Sequence, residues 1–305
     1  MKVKGLLVLL IYGLLGCTDG SSREKMHPTG TVQPVSVPQT YPDFLQKVVY
    51  TREDSAEVVR LLRLSPEGSD VLFYARRFLN VPYVAHTLEV ADPERIIVNL
   101  RELDCTTLVE TVMALTMTRR QGSDSFVDYC RNLERLRYRK GKCDGYVSRL
   151  HYFEWWINDN IRKGLVENVG ANRYFTGKKK INNAYMSVHS NSYKMLRLHP
   201  EWVVKIREME KAENNTIVSY LPEKSTGLNR QKLQNICDGD IVAIVTDKSG
   251  LDYSHLGFSV WGRDGKLHLL NASSIHKKVV EEPMTLYQYL AKHPKSIGIR
   301  VLRLR

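Results

Sequence analysis

His255-Leu256-Gly257-Phe258-Ser259-Val260-Trp261, then Gly262-Arg263-Asp264-Gly265, then Lys266-Leu267-His268-Leu269-Leu270-Asn271, is the stretch that decides the fold. Two runs rich in aliphatic and aromatic residues flank a turn bounded by glycines, which reads as an antiparallel hairpin. Ile241–Val245 before it, and Val279–Glu281 and Ile297–Leu304 after it, add further strands. Side chains alternate across a strand, so a one-residue slip sends each of them to the other face. A two-residue Asp264-Gly265 turn sets Leu256 opposite Asn271 and turns Asn271 away from His255. A three-residue loop, Arg263-Asp264-Gly265, sets Gly257 opposite Asn271 and makes Asn271 the diagonal neighbour of His255 on one face. Gly265 suits the left-handed last position of that loop. The hydrophobic pattern favours the other register, which stacks Leu267 and Leu269 with Phe258 and Val260. The three-residue loop is expected, on the premise that both faces of the sheet are covered.

Upstream the texture is helical. Apolar residues recur at helical spacing over Asp54–Leu64, Ser69–Leu79, residues 104–118, Phe126–Tyr138 and His151–Ile161. Pro200 stands where a first helical turn opens a run to about Lys211. Helices first and strands later give an α+β fold, not alternating βαβ units. The 305 residues are 43% apolar and 26% charged, which excludes wholesale disorder, collagen, coiled coil and a polytopic membrane protein. The formal net charge of +12 favours anionic partners. Lys178-Lys179-Lys180 is the one tight basic cluster, however, and no aromatic–basic motif of a nucleic-acid module is present, so no nucleic-acid partner is expected.

Lys2 and Lys4 precede an apolar run, Gly5–Gly16, that is too short to span a bilayer and reads as a secretory signal. Cys17 directly after Leu14-Leu15-Gly16 resembles the lipobox of bacterial lipoproteins, in which the new N-terminal cysteine carries the acyl chains. Residues 17–42, with Pro28, Pro34, Pro38 and Pro42 among Ser, Thr and Gly, read as a flexible tether. Residues 43–305 are then one folded unit, with a helical insertion at about 119–235. The expectation is an extracytoplasmic protein of the bacterial cell envelope, held to the membrane through a lipid on Cys17.

The other cysteines are Cys105, Cys130, Cys143 and Cys237. Neither a CxxC nor an HExxH occurs, so no structural or protease zinc site and no cofactor is expected. Cys130 and Cys143 are read either as a pair or, more commonly for such thiols, as two single buried groups. Cys105 stands apart. Asp104 is a plausible N-cap, and Leu108, Val112 and Leu115 make an amphipathic helix behind it, which places Cys105 in the first turn. Unpaired N–H groups and the helix dipole there favour an anion, so this thiol is expected to ionise easily.

Five pieces then fall in order: Pro82-Tyr83, Asp104-Cys105 opening a helix, Gly239-Asp240 before a strand, His255-Leu256-Gly257 on a strand, and Asn271-Ala272 one hairpin later. This order resembles the NlpC-type papain-like cysteine hydrolases of bacterial cell walls. The peptidase branch usually has Ser-Gly after its Asp-Cys, whereas this chain has Thr106-Thr107. It also carries a long insertion that includes Tyr146, Ser148, Arg149, Leu150, His151, Tyr152 and Phe153. Both departures look like the N-acetylmuramoyl-L-alanine amidase-like family of that superfamily, over roughly residues 70–300.

The resemblance implies a papain-like fold, with N-terminal helices on an antiparallel sheet. It also implies hydrolysis of the amide between N-acetylmuramic acid and L-alanine in peptidoglycan fragments, through a thioester. Cys105 is then the nucleophile, His255 the base and Asn271 the group that orients it. The Cys105 backbone N–H is a natural oxyanion donor, and Tyr83 is either a second donor, a substrate wall or a core residue. Arg149 is read either as partner of a substrate carboxylate or as one half of a salt bridge. His151 and Tyr152 are read as substrate-binding or packed. The competing readings are a γ-D-glutamyl-diamino-acid endopeptidase, a transferase using the same thioester, and a non-catalytic lipoprotein that binds wall fragments.

Overall fold

The computed structural model describes residues 41–170 and 173–305, which belong to one compact unit. The signal at 1–16, Cys17 and the tether up to residue 40 lie outside the described residues. Seven helices carry the argument: α1 (Arg52–Leu62), α2 (Asp70–Arg77), α3 (Cys105–Arg120), α4 (Phe126–Arg137), α5 (Phe153–Arg162), α6 (Pro200–Glu213) and α7 (Leu286–Ala291). The main sheet is built from β1 (Val166–Asn168), β2 (Gly177–Lys180), β3 (Ile217–Pro222), β4 (Ile241–Thr246), β5 (Tyr253–Trp261), β6 (Leu267–Ser273), β7 (Lys278–Glu281) and β8 (Ser296–Leu304). Its order is β2-β3-β8-β4-β5-β6-β7, with β1 also on β8, and every pairing is antiparallel.

Local chemistry explains where the helices begin. Thr51 accepts the Asp54 N–H and Asp54 reaches back to Thr51, a reciprocal cap on α1. Ser69 and Ser125 cap α2 and α4 without the return bond, each accepting an N–H three residues on. Pro200 occupies the first turn of α6, as its fixed backbone angle favours. Residues 119–235 contain α4, α5 and α6, and they also supply β1, β2 and β3 to the sheet. The strand signal there was weak, because β2 is Gly177-Lys178-Lys179-Lys180, whose lysines suit an edge.

The hairpin adopts the three-residue loop. Trp261 pairs with Leu267 and Phe258 with Leu270, a register that continues to Gly257 opposite Asn271. Gly262 and Lys266 close the loop, and Gly265 has a φ of 69°. The hydrophobic pattern misled because both faces are buried. Phe258, Val260, Leu270 and Ala272 pack with α3 in one core. Leu267, Leu269 and Trp261 pack with Leu286 and Leu290 of α7 in a second.

The expectation of an amphipathic α3 requires correction. Residues 107–118 are buried without interruption, because α3 runs through the middle of the core rather than along its surface. Its polar residues are satisfied internally. Thr116 and Thr118 donate to the carbonyls of Val112 and Ala114, and Glu110 pairs with Arg137 of α4 at 2.6 Å. Burying Leu108, Val112 and Leu115 contributes roughly 1.5–3 kcal/mol each, which anchors the helix whose first residue is Cys105. Cys130 and Cys143 are single free thiols. Among the described residues no helix is long and apolar enough to cross a membrane, and no group of three metal-ligating side chains converges.

Candidate active site

Asp104 accepts the Thr107 N–H at 2.8 Å, and Thr107 Oγ1 accepts the Asp104 N–H at 2.9 Å. Here Thr107 plays the part that Glu or Gln plays in the usual capping box. The carboxylate starts the helix, so the next residue, Cys105, is the first helical one, with an N–H outside the i→i−4 ladder. Cys105 is partly buried and lines a cavity of about 230 Å³ together with His255, Thr106, His151, Tyr152 and Tyr253. A larger cleft of about 760 Å³ beside α2 and Trp261 contains neither Cys105 nor His255.

His255 stands near the start of β5, and its ring Nε2 lies 2.8 Å from Asn271 Oδ1. The oxygen only accepts, so Nε2 carries the hydrogen and Nδ1 keeps the lone pair. The amide is oriented in turn, because Asn271 Nδ2 donates to Glu282 Oε1 at 3.0 Å. Glu282 is buried, and its other oxygen lies 3.3 Å from His276 Nε2. The Tyr289 ring of α7 lies over His255, with centroids 6.4 Å apart.

The glycine after this histidine has a steric reason. A Cβ on Gly257 would lie 2.5 Å from the Leu270 carbonyl oxygen and 3.1 Å from Asn271 Cβ. Only glycine lets β5 and β6 approach closely enough for the two side chains to meet.

Electrostatics corrects one expectation. Burial first, and the adjacent Asp104 carboxylate second, push the Cys105 thiol up to about 12, despite hydrogen bonds from the Leu256 backbone and Thr106. The enclosure of the helix start outweighs its N–H groups, so the resting thiol is protonated. Burial also lowers the His255 ring below its usual 6.5, against the opposing pulls of Asn271 and Glu282. At neutral pH the pair is a thiol beside a neutral imidazole.

The remaining sequence-derived residues divide. Tyr83 is partly buried beside Cys105, and burial raises its phenol, so it stays a donor. His151 lines the cavity, has Nε2 2.8 Å from the Tyr146 carbonyl, and is held neutral by burial and the Arg149 charge. Tyr152 is a buried wall whose hydroxyl donates to Glu210 and accepts the Met186 N–H, both at 2.7 Å. For Arg149 the structure favours an internal ion pair. Its guanidinium is buried between Glu89, at 2.5 Å, and Glu94, at 3.5 Å, so it braces the wall and offers no free fork to a carboxylate.

Sequence reasoning missed Glu282, Tyr289, Asp252 and Asn183. Finding Glu282 requires the β6–β7 register, in which Asn271 pairs with Val280, and no motif marks that strand.

A family model described as N-acetylmuramoyl-L-alanine amidase-like matches residues 74–299. Among solved structures, an N-acetylmuramoyl-L-alanine amidase from Bacteroides uniformis is 43% identical, with a TM-score of 0.72, over 77% of this chain and 97% of that one. A Bacteroides fragilis protein provisionally named a xylanase is 44% identical, with a TM-score of 0.71, over 76% and 99%. A Legionella pneumophila protein, 20% identical over 87% and 97%, is alike in fold, with a TM-score of 0.63. No curated protein matches by sequence. With three quarters of its length under that model, the chain belongs to the N-acetylmuramoyl-L-alanine amidase-like family.

Proposed function

We propose that this chain is a cysteine amidase of papain-like, NlpC-type fold that hydrolyses the bond between the lactyl group of N-acetylmuramic acid and L-alanine in peptidoglycan fragments. The observation that carries the reading is the meeting, in one cavity, of a helix-opening cysteine with a histidine whose Nδ1 is left free by the bond to Asn271. As Cys105 Sγ attacks the amide carbonyl, its proton passes to His255 Nδ1. The tetrahedral oxygen takes its hydrogen bonds from the Cys105 N–H and the Tyr83 hydroxyl. The C–N bond then breaks and His255 returns the proton to the leaving amine of L-alanine, which leaves a thioester on Cys105. Water, deprotonated by the same imidazole, attacks the thioester, frees the lactyl carboxylate and restores the thiol.

The test is mass spectrometry of defined muropeptides treated with the protein and with Cys105→Ala. Free muramic acid sugar and an intact peptide are expected from the first and neither from the second. Peptides shortened at the γ-D-glutamyl bond refute the amidase assignment, and turnover by folded Cys105→Ala refutes the nucleophile. We further propose that the protein is lipid-anchored through Cys17 in the cell envelope. Labelled palmitate is expected to enter the wild type and not Cys17→Ala, and equal labelling of both refutes the anchor.

A further inference from the structure

The cavity that holds Cys105 and His255 is also lined by a second polar cluster, Asp252 and Asn183. Both are almost wholly buried, Asp252 at 2% and Asn183 at 1% exposure. Neither is fully satisfied. Asp252 Oδ1 accepts the Asn182 N–H at 3.3 Å and the Asn183 side chain helps hold the Asp252 carboxyl down, yet neither Asp252 Oδ2 nor the Asn183 amide has a partner within hydrogen-bonding distance. Buried polar atoms are nearly always hydrogen-bonded, and an exception asks for an explanation. The Asn183 backbone is fixed independently, since its N–H donates to Asn214 Oδ1 at 2.7 Å and its carbonyl accepts from Asn214 Nδ2 at 2.9 Å. The fold thus holds this side chain against the cavity, where it faces the Asp252 carboxylate.

Charge selects the ligand. In a chain of formal charge +12, this cavity is lined by two carboxylates, Glu89 and Asp252, and by no Lys or Arg. Glu89 is already paired with Arg149. The Lys179 ammonium makes a loose ion pair with Asp252 Oδ1 at 3.8 Å and gives its hydrogen bond to the Thr246 carbonyl at 2.7 Å, which leaves Oδ2 without a donor. The Glu154 carboxylate adds further negative field.

We propose that Asp252 and Asn183 form a subsite for a primary ammonium group of the substrate, with Asp252 Oδ2 and Asn183 Oδ1 as acceptors. The assignment rests on the peptidoglycan reading, because the side chain of a stem's diamino acid is a cation on an otherwise neutral or acidic peptide. Burial raises the Asp252 carboxyl to about 6, so it is charged at neutral pH and ready to pair.

The experiment compares a muramyl peptide carrying lysine at the diamino-acid position with the same fragment acetylated on that amine. In the wild type, acetylation is expected to lower kcat/KM about tenfold to hundredfold, the range that loss of a charged hydrogen bond gives. In Asp252→Asn and in Asn183→Ala, the ratio between the two fragments is expected to fall toward one. Equal kcat/KM for both fragments in the wild type overturns the subsite and leaves the amidase reading standing. If no muramyl peptide is cut, calorimetry of full-length Cys105→Ala with the two peptides decides separately. Binding that weakens on acetylation supports the subsite, and indifference to acetylation overturns it.

Discussion

Gly257→Ala tests whether the hairpin register positions Asn271 against His255. The new Cβ would lie 2.5 Å from the Leu270 oxygen, 2.8 Å from Leu269 Cδ1 and 3.1 Å from Asn271 Cβ. The leucine methyl can swing aside, but the carbonyl belongs to the paired strand. Reaching an ordinary contact of about 3.4 Å requires β6 to move by about 0.9 Å at that point. If Asn271 takes up that movement, its 2.8 Å bond to His255 lengthens to about 3.7 Å, beyond hydrogen-bond range. Overpacking of this kind costs about 1–3 kcal/mol, and each kcal/mol lowers Tm by roughly 2–4 °C in a domain of this size. Misplacing the orienting group by about 1 Å is expected to cost up to a hundredfold in kcat/KM. Thermal unfolding followed by circular dichroism gives the first quantity. Steady-state muropeptide hydrolysis, measured well below the variant's Tm, gives the second. A folded Gly257→Ala protein with wild-type kcat/KM refutes the positioning argument, and a lowered Tm alone confines the glycine's role to packing.

Replacing the buried carboxylate behind the triad, Glu282→Gln, keeps the shape and removes the charge. It is expected to lower kcat/KM roughly five- to tenfold and to move the acid limb of the pH profile to lower pH, because Glu282 holds the His255 pKa up. A limb that stays or rises contradicts the relay. The acid limb of the wild type is expected below pH 6.5, with no descending limb before about pH 9; a bell falling between about pH 7 and 9 would indicate an ion pair at rest. Iodoacetamide at neutral pH is expected to modify exposed Cys237 before Cys105, and peptide mapping that gives the reverse order disproves a protonated resting thiol. Glu110→Ala strands the buried Arg137 guanidinium and is expected to cost about 3–5 kcal/mol in urea unfolding; a loss under about 1 kcal/mol would show that Arg137 finds another partner.

What was legible in the sequence was whatever depends on neighbours along the chain. The cap at Asp104 is a three-residue event, and the left-handed position of Gly265 suits the loop that sets the hairpin register. Cys105, His255 and Asn271 were named from the resemblance of five ordered motifs to a known family, and strand alternation then required two of them to share a face. Illegible features depend on which elements cross. Periodicity made α3 amphipathic because Thr111, Thr116 and Thr118 count as polar, yet their burial on a central helix is possible only where backbone carbonyls and facing side chains satisfy them. The choice between the two readings of Arg149 stayed open because its partners Glu89 and Glu94 lie more than fifty residues upstream. The Lys178–Lys180 run registered only as a basic cluster because an edge strand of four residues carries no apolar alternation.

The resting charge state of the site follows from how the fold places its nucleophile. Asp104 caps α3 and so favours a helix that opens at Cys105. The same carboxylate stands beside the sulfur and, after burial, is the largest influence holding the proton on it. Positioning and ionisation therefore pull against each other at a single residue. The histidine side is arranged to match. A neutral amide, Asn271, orients the ring without a full counter-charge, while the carboxylate that would stabilise an imidazolium, Glu282, stands one residue further back. Under the proposed mechanism both partners start neutral, and charge separates only as the sulfur attacks a carbonyl carbon, with the proton on an imidazole backed by Asn271 and Glu282 and the negative charge on an oxygen beside the Cys105 N–H.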